Sequence, residues 1–185
     1  MKLPTRLYLF SIALMAMPLL SVAQCDIFKS EITGVKEYAE EMLEVVNQVE
    51  EHAENAAFAA TYTEAKSHAR EAVIFAGEIL GSAYEAVNMA AEAQHFSGSC
   101  DKDGVKSYTI DAERFAIDAR DFADVAYTNA KKASTARNLG DIRYFMRKSL
   151  DAAKEAQKSA DATVYAASDA LYSCDHQTVS AGGNE

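Results

Sequence analysis

The chain's 185 residues carry 28 acidic against 18 basic side chains, for a net charge of −10, and 49% of them are hydrophobic with no tryptophan. A chain this acidic repels nucleic-acid phosphates and anionic lipid, which excludes both as partners. Both prolines, Pro4 and Pro18, lie near the start, and about one residue in five of the remainder is alanine, so the body of the chain reads as nearly all helix.

Residues 1 to 23 have the pattern of a secretory signal. Lys2 and Arg6 supply the positive start, Leu7 to Leu20 an apolar run, and Ser21-Val22-Ala23 the small residues of a cleavage site. The run is too short for a comfortable membrane span, and nothing downstream is long enough to cross. The expected mature chain starts near Gln24, has a charge near −12 and a secreted or periplasmic location. It is long enough for one domain with its own core.

Beyond the leader, apolar positions step by four and three, the signature of helix–helix seams. The first seam is Phe28, Ile32, Val35, Ala39, Met42, Val46, Val49, Ala53 and Ala56. The second runs Ala65, Ala69, Ala72, Ala76, Ile79, Ala83, Ala86, Ala90 and Ala93. The third is Ala112, Ala116, Ala119, Ala123, Ala126, Ala130 and Ala133, and the fourth extends from Ile142 and Met146 to Ala167 and Ala170. Additional columns, such as Val73, Leu80 and Val87, widen each seam enough to meet two neighbours. These features predict an all-α fold: an up-down-up-down antiparallel four-helix bundle with Ala-rich heptad seams.

The breaks differ in strength. Asn138-Leu139-Gly140 marks a firm stop, and Ser97 to Gly104 a clear loop. Between the first two helices the signal is a slip of phase from Ala60 to Ala65 and a capping box, Thr61 with Glu64. An offset of 77 residues places Lys66 on Arg143, Arg70 on Arg147 and Glu78 on Glu155, so the chain reads as tandem hairpins, residues 25–99 and 100–174. Residues 175 to 185 read as a loose tail.

Cys25-Asp26, Cys100-Asp101 and Cys174-Asp175 punctuate this plan at intervals of about 75 residues. The predicted topology gathers all three cysteines at one end of the bundle. In an oxidising compartment a Cys100–Cys174 disulfide is expected, worth roughly 4 kcal/mol by loop closure. Cys25 is the alternative partner, or else a free or lipidated thiol. Against lipidation stands Gln24, where a lipoprotein signal carries a small residue.

Few residues suggest chemistry. Glu92 and His95 have the Glu-x-x-His spacing of di-metal bundles, but the fourth helix offers only Asp169 and Tyr172 in return, and Glu92 falls in a solvent-facing column. They remain weak metal candidates. His52 and His68 flank the core as edge residues near Glu51 and Glu64. Haem attachment lacks Cys-x-x-Cys-His, and no phosphate loop or nucleophile elbow occurs. The first helix carries an acidic face, Glu37, Glu40, Glu41 and Glu44, fit for a solvated surface, a loose divalent cation or a basic partner. Gly77 and Gly81 sit off the seam beside Ile74 and Tyr84, and Tyr144, Tyr165 and Tyr172 share the column of the fourth helix furthest from the core. Exposed tyrosine beside glycine suggests an interaction surface for a protein partner or for self-association.

The function expected from these features is that of an exported, non-enzymatic helical bundle acting as a structural or protein-interaction module, with no cofactor. The alternative is a bundle that binds a metal ion or small ligand.

Overall fold

The computed structural model describes residues 6–100 and 104–176, with residues 6–22 described by their backbone alone. Residues 1–5 of the expected leader, residues 101–103 of the second loop and residues 177–185 of the expected tail lie outside the described residues. Four helices follow one another: α1 (Arg6–Phe58), α2 (Tyr62–Phe96), α3 (Val105–Thr135) and α4 (Leu139–Asp175), with a short 3₁₀ turn, Ser97–Cys100, after α2. They pack as an all-α four-helix bundle. Each helix lies against two neighbours, α1 against α2 and α4, and α3 against α2 and α4, while the diagonal pairs barely touch. Among the described residues, no helix is long and apolar enough to cross a membrane.

Every position of the four predicted seams is buried. The core divides into three layers along the bundle, each built from all four helices. The partition of sizes explains how they fill. α1 supplies most of the bulk, with Phe28, Ile32, Val35, Met42, Val46 and Val49 buried, whereas α2 and α3 present mainly alanine. Large side chains thus meet flat helices, and interdigitation replaces bulk on both sides. Between α3 and α4 the backbones come close enough for the buried Ser149 Oγ to donate to the Ala126 carbonyl at 2.9 Å.

The breaks refine the expected boundaries. α2 starts where the capping box predicts: the Glu64 N–H donates to Thr61 Oγ1 at 3.2 Å, and Glu64 Oε2 accepts from the Ala60 N–H. The third stop, between α3 and α4, falls slightly earlier than expected, at Ala136–Asn138. Gly140 belongs to the first turn of α4, because Asn138 Oδ1 already caps that turn by accepting from the Asp141 N–H at 2.8 Å. Gly104, which caps α3, holds φ at +108°, a conformation open to glycine and strained for other residues. At the C-terminus, Asp175 ends α4 and His176 caps it, so the ordered bundle reaches two residues into the expected tail. α1 in turn begins at Arg6, ahead of the expected cleavage point.

Candidate functional site

The stretch of α1 around Cys25, the 3₁₀ turn after α2 and the end of α4 meet at one end of the bundled core. Each brings a cysteine. The Sγ atoms form a nearly equilateral triangle: Cys25 to Cys100 is 2.7 Å, Cys100 to Cys174 is 2.9 Å, and Cys25 to Cys174 is 3.2 Å. A disulfide bond measures about 2.05 Å, so no pair stands at bonding distance, including the expected Cys100–Cys174 pair, and all three cysteines are free. The reason is geometric. Cys25 is as close to Cys100 as Cys174 is, so no pair is singled out.

The surroundings are apolar. Phe28, Val105 and Ala170 are buried beside the sulfurs, with Phe96, Phe115 and Leu171 packed around them. Cys100 and Cys174 are only 8% and 7% exposed, and Cys25 is half-buried. Burial disfavours a thiolate, and it pushes both the Cys100 and Cys174 thiols above their ordinary value. Hydrogen bonding with its neighbours also raises Cys100, whereas the Lys29 ammonium pulls Cys174 the other way. Lys29 Nζ pairs with Asp175 Oδ1 at 2.6 Å, fastening α1 to the end of α4 and raising the lysine's own pKa. Ser99 Oγ adds a tie to Gln24 Oε1 at 3.1 Å. Among the described residues, the three cysteines are the one group of three potential metal-ligating side chains whose donor atoms converge, within 4.8 Å of one another.

Other candidate residues are dispersed. Glu92 and His95 are both exposed, and the His95 ring meets the edge of Phe96. Among the described residues, no third ligand joins them within a converging group. His52 and His68 do meet, with Nδ1 atoms 3.2 Å apart and His52 stacked on Phe75, but Glu64 is engaged in the cap of α2.

The tyrosine and glycine positions separate into different faces. Tyr84, Tyr144, Tyr165 and Tyr172 are all exposed, Tyr165 at 73%. Tyr84 belongs to α2 and the other three to α4, and these helices are diagonal in the bundle, so they point to opposite sides. The two glycines differ as well. A Cβ on Gly81 would meet nothing, while Gly77 lies under the ring of Tyr127 from α3. Tyr144 has the most distinctive setting. It shares an open face of α4 with Gly140, Arg143, Arg147 and Lys148. The Lys148 ammonium stands 4.8 Å from the Tyr144 ring centroid.

No protein-family model matches this chain, and no curated protein sequence matches it.

Proposed function

We propose that this chain is an exported, non-enzymatic helical bundle that acts as a protein-interaction module. The observation that carries this reading is the exposed cationic face of α4 around Tyr144. Tyrosine and arginine are the residues most enriched where interfaces concentrate their energy. Here an exposed Tyr144 is framed by Arg143, Arg147 and Lys148, on a chain whose net charge is −10. A cationic, aromatic face on an acidic protein fits an acidic partner surface. The chain carries one itself in Glu37, Glu40, Glu41 and Glu44 of α1, so a second copy is the partner we favour. Export rests on the leader-like residues 1–23.

Sedimentation of the full chain at low and at high salt tests this reading. Association that weakens with salt, and that Tyr144→Ser with Arg147→Ser reduces without lowering Tm, is the expected result. A chain that stays monomeric at every concentration, or a variant that associates unchanged, would contradict it.

A further inference from the structure

We propose that Cys25, Cys100 and Cys174 form a three-thiolate binding site for a soft d¹⁰ cation, Cu(I) in three-coordinate form or Zn(II) with a solvent molecule as fourth ligand. The site is independent of the Tyr144 face, which lies on α4 towards its other end.

The triangle itself favours an ion over a disulfide. A disulfide uses two sulfurs and leaves the third beside the bond, level with its midpoint. Thiolate attack on a disulfide runs along the S–S axis, so a side-on sulfur is poorly placed for exchange. A cation, by contrast, uses all three donors at once. With metal–sulfur distances of about 2.3 Å, sulfurs around a tetrahedral zinc stand about 3.8 Å apart. The observed separations of 2.7, 2.9 and 3.2 Å therefore need to open by only about 1 Å. Cys100, in a short 3₁₀ turn, and a rotamer shift of the half-buried Cys25 can yield that much.

The chemistry of the donors sets the class of ion. The converging donor set is sulfur alone, with no carboxylate or imidazole among its members. His176, two residues beyond Cys174, turns its Nδ1 towards the Tyr172 carbonyl at 3.3 Å. Thiolates select Cu(I) and Zn(II) over calcium and magnesium, which need oxygen donors. The apolar shell of Phe28, Phe96 and Leu171 keeps bulk water from the sulfurs, and the half-buried Cys25 leaves a way in. Binding is an acid–base exchange with no change of oxidation state. Three S–H bonds break, three metal–sulfur bonds form, and three protons pass to solvent. The ion's charge offsets part of that of the three thiolates, leaving −1 with Zn(II) and −2 with Cu(I), and Lys29 stands beside Cys174. Each thiol gives up its proton on binding, so the proton count is a direct signature of the site.

The test uses the full chain, reduced with a phosphine and titrated separately with Zn(II) and with Cu(I). The proposal expects one ion per chain, a thiolate-to-metal absorption band and close to three protons released per zinc. Cys25→Ser and Cys174→Ser should each weaken binding at least roughly a hundredfold, the upper end of what even outer-shell groups contribute. Glu92→Ala with His95→Ala should leave it unchanged. Zinc should also block alkylation of all three cysteines in the unaltered chain, a readout that survives if a variant misfolds. No saturable uptake, uptake with one proton or none, or alkylation of any cysteine at full zinc loading would overturn the proposal. So would a chain in which a disulfide between two of the cysteines persists under reductant and excludes the ion.

Discussion

Lys66 and Arg143 make the same contact in opposite directions across the loop end of the bundle. Lys66 Nζ donates to the Ala136 carbonyl at 3.2 Å, and Arg143 Nη2 donates to the Ala59 carbonyl at 2.6 Å. The offset of 77 that places Lys66 on Arg143 also places Ala59 on Ala136. Each hairpin thus reaches from the first turns of its second helix to the other hairpin's loop and satisfies a carbonyl that the end of a helix leaves open. This reciprocity supports reading the two hairpins as tandem copies.

Both contacts are charge-assisted and the Arg143 one is the shorter, so Arg143→Met should destabilise the chain by about 1–2 kcal/mol. Lys66→Met should cost less, because the exposed Tyr62 hydroxyl also donates to the Ala136 carbonyl and remains in place. Urea unfolding of both variants checks this order. Equal losses would contradict it.

The alanine seams predict an asymmetry between adding and removing bulk. Ala123 of α3 and Ala156 of α4 are each 1% exposed in the middle layer. Ala123→Leu should force side chains or backbone apart and cost about 1–3 kcal/mol. Met42→Ala, in the same layer, opens a cavity under α1 and should cost about 2–5 kcal/mol. Thermal melts resolve both, and a stabilising Ala123→Leu would show that this layer is loosely packed.

Stability should also fall in alkali. Burial raises the Cys100 and Cys174 thiols, so the folded chain keeps protons that the unfolded chain loses above about pH 8.5. An acid whose pKa is raised by folding contributes its full stability below the unfolded value and loses it as pH rises. The reduced, metal-free chain should therefore hold its unfolding free energy to about pH 8 and then decline, no more steeply than about 1.4 kcal/mol per pH unit per thiol. Lys29, raised from 10.5 by its Asp175 bond, adds a loss only above that value. Urea titrations across this range should show the first decline vanish in Cys100→Ser with Cys174→Ser. A parent chain with no decline below pH 10 would contradict the account.

Much of this was legible in the sequence because helical seams are local. Steps of four and three named the buried positions of all four helices, and Thr61 with Glu64 marked the weakest break by side-chain chemistry alone. What escaped depends on register between helices. Gly34 is buried because Met89 of α2 lies where its Cβ would stand, and no pattern within α1 reveals that neighbour. Gly77 read as open surface, yet Tyr127 of α3 covers it. The tyrosines of the second and fourth helices read as interaction candidates, and the square arrangement puts Tyr84 and Tyr165 on diagonal helices. The cysteines were placed at the correct end by topology, whereas the near-equal sulfur separations follow from how α1, the 3₁₀ turn and the end of α4 pack against one another.

The central claim is that three cysteines, far apart in the chain, present their sulfurs to one point. Arsenite tests it most directly, since As(III) joins three thiols with loss of three water molecules. Native mass spectrometry of the reduced chain, followed by alkylation, should show one arsenic per chain and three protected cysteines. An adduct in which Cys25, Cys100 or Cys174 remains open to alkylation, or one in which arsenic bridges two chains, would contradict it.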